Sequence, residues 1–572
     1  MGRLEAARAT LARWEAAKPA NFYDDDAHLR LALARRLGAE RLARLEPALR
    51  RAGADSAGPV SRAAAGLDRP ESLPRLERWS AAGERVEEVV FHPDHHAIGR
   101  LVWRSGVLGV LAEPGHMTEH AALAYLFALN GEVPHLCSIA CTAGLVKAIQ
   151  RGGDARMRAA WLPRLVETDY DRRWHGAQFL TEVQGGSDVG ANACVARPWP
   201  DEPGVWRLDG EKWFCSNVSA DLWAVSARPE GAAEGSAGLG LFVVPRRLDD
   251  GRPNGVFVRR LKNKLGTRTL PTAEVDFTGA RAWPVGRLED GFRLMMGVVI
   301  NTSRLEVAIG ASAMMRRAFV EAFHYARARE AFGRRLRDFP AVRQQLAETR
   351  ALAAGALAFT LFVTAREDAL ARAGSAPEDD PLFRVAVTLA KYAASVDAGL
   401  AVHHAIEILG GNGTIEDFSP LPRLYREAPV QESWEGPHNT LVAQLLRDAA
   451  RSKMHAALLA AAEDTLLGVR TPALAPTREG ALAALDETGD ELDDLLRGDP
   501  ELAALHARAV FGRIARVMQV ALLLEDAQAD AGATVPWLPA AAEWLLRRHL
   551  TVGWRATRDA GYPDLVARLA GE

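Results

Sequence analysis

Five short stretches carry residue types that could do chemistry. In LTEVQGGSDVGAN, 180–192, Thr181, Gly186, Ser187 and Asp188 gather hydroxyls and loop amides, as an acceptor-rich heterocycle or a phosphate requires of an uncharged surface. A tight turn capped by Ser187 or Asp188 is the plain alternative. In GEKWFCSN, 210–217, Trp213 and Phe214 stand beside Ser216 on a predicted strand, a pattern that suits a planar ring as well as a strand core. RAREAFGRRL, 327–336, lies in a stretch with Arg316, Arg317, Arg327, Arg329, Arg334, Arg335 and Arg337. Guanidinium groups grip pyrophosphate bidentately, or they lace a solvated face with ion pairs.

The fourth stretch is EILGGNGTIED, 407–417, where Gly410, Gly411 and Gly413 follow a helical pattern and either end the helix or let backbone approach a ligand. Helix rather than strand precedes these glycines, which excludes a dinucleotide-binding strand–loop–helix fingerprint. In YREAPVQESWEGPHN, 425–439, Glu435 sits between Trp434 and Gly436. An apolar, dry setting there raises a carboxyl toward general-base range, and a salt-bridged carboxylate is the alternative. The histidines of HPDHH, 92–96, have no acidic or cysteine partners that complete a metal motif, so no metal site is expected. Cys137 and Cys141, one helical turn apart, read as small core residues.

The elements that must position these residues divide the chain. Its 572 residues, 48% apolar and 25% charged, imply several folded domains, and 70 Lys plus Arg against 73 Asp plus Glu leave no net basic field for nucleic acid or anionic lipid. The charged N-terminus and the lack of an unbroken apolar run predict neither a signal peptide nor a membrane span, and four cysteines without a Cys-x-x-Cys pair fit a reducing, cytoplasmic setting. Residues 1–178 read as helical, and 179–285 as a small β domain of short runs between Asp-Gly and Pro turns. Residues 286–451 read as a bundle of four long helices, and 452–572 as a helical extension with an acidic linker at about 484–500. From 451 onward, 13 Arg plus Lys face 18 Asp plus Glu, so the extension is net acidic.

In this order the pieces resemble the acyl-CoA dehydrogenase family of flavoproteins, an α+β fold with a helical N-terminal domain, a middle β-barrel or sandwich and a C-terminal four-helix bundle. Within it they resemble the subgroup of the alkylation-response protein AidB. The features carrying that likeness are FHP at 91–93, TEVQGGSDV at 181–189, RLKNKLGTR at 260–268, MMRRAF at 314–319 and LPRLYREAPVQESWEG at 421–436.

The resemblance implies FAD as cofactor. Thr181, Gly186 and Ser187 would meet the pyrimidine side of the flavin or its linker, Phe214 would pack on the isoalloxazine and Ser216 would approach N5. Arg329 and Phe332 would hold the adenine or pyrophosphate end across a subunit interface, joined by Glu407 and the backbone of Gly410, Gly411 and Gly413. Glu435 matches the catalytic base that removes the proton α to an acyl thioester carbonyl, and Arg304 matches an arginine that arranges the substrate end. The implied partners are acyl-CoA or another acyl thioester, an electron-transfer flavoprotein and further copies of the chain in a homotetramer. Pro437 departs from the hydroxyl residue usual after the Glu-Gly pair. A second reading implied by the subgroup is a flavoprotein that binds or protects DNA with a weak or vestigial active site. The acidic extension argues against DNA, since the subgroup binds it through a basic C-terminal domain.

Overall fold

The computed structural model describes residues 2–133 and 135–550. Helices fill most of the first block, among them α1 (Ala27–Asp55), α2 (Met117–Ala128) and α3 (Leu136–Gly152). Asp26 starts α1 by accepting from the Leu29 amide at 3.0 Å, which satisfies one of the free donors of the first turn. One β element stands within this mainly helical block. Strands β1 (Arg75–Trp79) and β2 (Arg85–Val90) pair antiparallel, and Gly83, at φ 79°, supplies the turn between them. Of the three histidines at 92–96, His92 caps a helix through the Asp94 amide at 3.2 Å, His95 stacks on Phe91 and His96 bonds the Tyr170 hydroxyl at 3.0 Å.

The middle domain is a barrel. Its strands are β3 (Gly176–Phe179), β4 (Val195–Pro198), β5 (Trp206–Ser216), β6 (Leu222–Pro229), β7 (Gly240–Pro245), β8 (Val256–Leu261) and β9 (Thr272–Pro284). The ring β6-β4-β5-β9-β7 closes where β7 pairs back onto β6, while β3 joins β6 in parallel and β8 joins β9. Closure removes open edges, and Phe179, Trp223, Phe242 and Phe277 fill the interior.

Three long helices follow, α4 (Asn301–Ala328), α5 (Pro340–Arg372) and α6 (Pro381–Leu409), with the small hairpin β10 (Glu330–Ala331) and β11 (Arg334–Arg335) between the first two. The expected fourth long helix before 451 is instead two shorter ones, α7 (Leu421–Ser433) and α8 (His438–Ser452), because the chain turns through left-handed Glu435 and Gly436 into Pro437. Three segments, 288–328, 340–372 and 381–414, are by length and composition apolar enough to cross a membrane, although none is an unbroken apolar run. Their most apolar windows are 83%, 78% and 83% buried inside the fold, so this apolarity serves packing within the protein.

The extension continues with α9 (Ala475–Arg497), α10 (Pro500–Ala529) and α11 (Leu538–His549). The acidic run expected to be a linker lies largely inside α9. Ala481, Leu485, Leu492 and Leu495 recur at helical spacing and are buried, while most of the acidic residues between them keep contact with solvent. The part of the extension from 551 on lies outside the described residues. α10 packs on α5, α6 and α8, Arg516 pairs with Asp397 of α6 at 3.1 Å, and His28 of α1 meets Asp526 at 2.9 Å in a buried contact. The extension is thus part of the folded body.

Candidate functional site

Glu435 stands at the junction between α7 and α8. Its φ is 55° and that of Gly436 is 109°, two successive left-handed residues, the first costly for a side-chain-bearing residue. A Cβ on Gly436 would lie 2.9 Å from Leu441 Cδ2, so the close packing of α8 requires a glycine there. Glu435 keeps some accessible surface, while its carboxyl lies in dense surroundings. Burial pushes the carboxyl up to about 7, and Arg304, Lys391 and a hydrogen bond from Gln178 each pull it back toward the ionised form.

The partners converge from separate domains. Gln178 on β3 donates from Nε2 to Glu435 Oε1 at 3.0 Å, and Ser303 on α4 donates to Gln178 Oε1 at 3.1 Å. Arg304 Nε donates to the Glu435 carbonyl at 3.1 Å. Its other nitrogens reach Asn301 Oδ1 at 3.3 Å, Thr388 Oγ1 at 3.2 Å and Gln444 Oε1 at 3.0 Å. Arg304 therefore grips the backbone of Glu435 rather than its carboxyl, and burial lowers its pKa to about 10. Lys391 on α6, fully buried, donates to the carbonyls of Glu432 and Gly436, both at 2.9 Å.

The loop after β3 approaches the same junction. Ser187 Oγ lies 3.1 Å from Thr440 Oγ1 on α8, and the Trp213 amide donates to the Thr181 carbonyl at 2.9 Å. A Cβ on Gly186 would lie 2.6 Å from Thr181 Oγ1, so a bare backbone beside that hydroxyl is needed. Phe214 is 51% exposed, and Lys262 Nζ lies 4.7 Å from its ring centroid and 3.5 Å from that of Trp213. Ser216 Oγ is 3.0 Å from Thr272 Oγ1, which accepts from Lys264 Nζ at 2.8 Å.

A second group forms at the far end of α4 and α6. The Arg329 amide caps α4 on the Tyr325 carbonyl at 2.8 Å, and Asn412 Nδ2 donates to the Tyr325 hydroxyl at 3.0 Å, which ties the glycine turn to the same helix end. Gly410 has φ 62°, and a Cβ on Gly413 would meet the Ile406 carbonyl oxygen at 2.5 Å. Glu407 accepts from Gln345. Phe332 and Gly333, at φ 52° and 80°, make the two-residue turn between β10 and β11, and Phe332 projects with 96% of its surface exposed. Among the described residues, no hydrogen bond, ion pair or ring contact joins this group to the one around Glu435.

Sequence reasoning missed Gln178, Ser303, Lys391 and Gln444. Two of them left a signal: Gln178 interrupts an apolar strand, and Lys391 is a lone cation in the apolar run VAVTLAKYAASV.

This arrangement is that of a helical–barrel–helical oxidoreductase fold with a buried carboxyl between barrel and bundle. The middle domain of acyl-CoA dehydrogenases matches residues 177–280, their C-terminal domain matches 289–450, and the N-terminal domain of the adaptive response protein AidB matches 13–172. The chain belongs to the acyl-CoA dehydrogenase family.

More particularly, it is 31% identical to acyl-CoA dehydrogenase family member 11 of Caenorhabditis elegans over 79% of this chain and 76% of that one. It is 35% identical to the putative acyl-CoA dehydrogenase AidB of Escherichia coli over 65% of this chain and 69% of that one. The crystal structure of Caenorhabditis elegans ACDH-11 in complex with C11-CoA has a TM-score of 0.87 at 27% identity and covers 97% of this chain and 96% of that chain.

Proposed function

We propose that the chain is an FAD-dependent dehydrogenase that introduces a double bond between the α and β carbons of an acyl-CoA or related acyl thioester, with Glu435 as base. The observation that carries this reading is a carboxyl poised near neutrality, held by Gln178 on its side chain and by Arg304 on its backbone. A base with a pKa near the working pH is available in ionised form and still strong enough to accept a proton. Complex formation between ACDH-11 and C11-CoA supports a CoA-borne acyl chain as the substrate class.

The residues available fit FAD. Thr181, Ser187 and Ser216 offer neutral hydroxyls next to the half-exposed Phe214 ring, and the bare Gly186 leaves Thr181 Oγ1 approachable. Arg329, Phe332, Glu407, Gly410, Gly411 and Gly413 would hold its distal end. Gly410 and Gly411 would have nothing within 4 Å of an added Cβ, so backbone there is open to close approach. The chemistry FAD would supply when bound is acceptance of a hydride, the β hydrogen with its electron pair, from the substrate.

The chain's own residues do the rest. Glu435 takes the proton from the carbon α to the thioester carbonyl at its free carboxylate oxygen, while Gln178 holds the other oxygen. Arg304 fixes the peptide that carries the base and favours its ionised form. The apolar wall of Trp434, Leu270, Cys137 and Cys141 beside it keeps water out. Phe332, exposed on its own chain and remote from Glu435, supports completion of the cofactor site by another copy in a homotetramer, with an electron-transfer flavoprotein as the onward acceptor.

The test is an anaerobic titration of the purified flavoprotein with short, branched and long acyl-CoA thioesters. Bleaching of flavin absorbance by one class, lost in Glu435→Gln, supports the reading. Bound flavin that no thioester reduces contradicts it.

A further inference from the structure

A lysine amine with no accessible surface is costly to bury, so its two bonds deserve a function. Lys391 Nζ donates at 2.9 Å to the carbonyls of Glu432, in the last turn of α7, and of Gly436, just past the base. The Glu435 carbonyl between them is taken by Arg304 at 3.1 Å. The carbonyls on both sides of the base and that of the base itself are therefore held by buried cations, and the left-handed φ of Glu435 sits inside this clamp.

The clamp continues into the C-terminal extension. Ser395, one turn along α6, donates its single hydroxyl proton to the Lys391 carbonyl at 2.7 Å, so His438 Nε2, 3.0 Å from the same oxygen, is the donor to Ser395. That tautomer leaves His438 Nδ1 as an acceptor, and both Arg508 Nη2 on α10 and Glu432 Oε2 lie 3.4 Å from it. The Tyr392 hydroxyl in turn donates to the Arg508 carbonyl at 3.2 Å. Burial together with Lys391 and Arg508 lowers His438 to about 4, which agrees with a neutral ring.

We infer that Lys391 is a positioning residue for Glu435, and that the extension reaches the same peptide through Arg508, His438 and Ser395. This rests on the reading of Glu435 as base. Burial and Arg304 lower Lys391 to about 7, while Glu435 and Glu432 oppose this, so amine and base titrate in the same range and each favours the charge of the other. Glu432, Arg304, Arg508 and Glu435 are the charged groups acting on the amine and on the histidine beside it. A helix cap with no further role would leave the base's acidity unchanged when removed.

The experiment compares wild type with Lys391→Met and Arg508→Gln as flavin-loaded full-length proteins. It records the pH dependence of thioester-driven flavin reduction, circular dichroism and a crystal structure of the Met variant. The inference expects native dichroism, Glu435 moved out of its left-handed conformation, the rate constant at neutral pH lowered about tenfold with KM within about twofold, and the acid limb of the profile moved to higher pH. Arg508→Gln, at an exposed position, should move the same limb in the same direction by less, and it serves alone if Lys391→Met fails to fold. An unchanged limb in the folded variants overturns the inference. Absence of reduction by wild type overturns the function reading instead, and the crystallographic position of Glu435 still decides the role of Lys391.

Discussion

Gln178 and Glu435, 257 residues apart in the chain, share a 3.0 Å hydrogen bond that joins the first barrel strand to the turn between α7 and α8. The barrel thereby orients a carboxyl that belongs to the helical domain, and on the proposed function the remaining oxygen is the one that meets substrate. Removing the amide by Gln178→Leu should raise the acid limb of the rate profile by about half to one pH unit, because the bond favours the ionised carboxyl. Ser303→Ala, which only loosens Gln178, should move it less; measured profiles for both variants check the order.

The pH dependence of wild type follows from the base itself. On the proposed function Glu435 acts as the carboxylate, and burial pushes its pKa up to about 7. The rate of flavin reduction should rise through about pH 7 and level above it. A limb near 4.5, the ordinary value for Glu, would show that the carboxyl is solvated in the working enzyme.

The barrel interior holds an ion pair with almost no accessible surface, Lys212 with Glu182 at 2.7 Å, and Glu182 also accepts from the Ala193 and Cys194 amides. Lys212→Met leaves that carboxylate buried without its cation and should cost about 3–5 kcal/mol in denaturant unfolding of the barrel. Replacing both residues by apolar ones should cost less than the single change.

All four cysteines are buried, and burial raises the Cys215 thiol and takes Cys194 to about 11, while Cys137 is raised first by its contact with Cys141. A thiol reagent should label none of them in the native protein within minutes and four after denaturation. Rapid native labelling of Cys137 or Cys141 would mean that the wall beside Trp434 opens.

Much of this was legible in the sequence where a pattern is local. The barrel began within a few residues of Gly176, and the motif order led to the right family, because strand alternation and motif spacing are written in neighbouring residues. The β1–β2 hairpin was hidden by charged residues on both faces of short strands, and α9 by an acidic composition whose buried stripe shows only at helical spacing. Around Glu435 the sequence singled out the carboxyl but not the residues that contact it. Gln178, Ser303 and Lys391 act through contacts made by the fold across long stretches of chain, and no local pattern marks a residue for such a role.

The central claim is that Glu435 abstracts the α proton of an acyl thioester. The most direct measurement is anaerobic stopped-flow absorbance of the flavin-loaded protein mixed with an acyl-CoA that reduces wild type, run beside Glu435→Gln. The expected result is rapid bleaching in wild type and loss of at least about three orders of magnitude in the variant, with flavin content and thioester affinity retained. Equal bleaching in the two proteins would contradict the assignment and require another base.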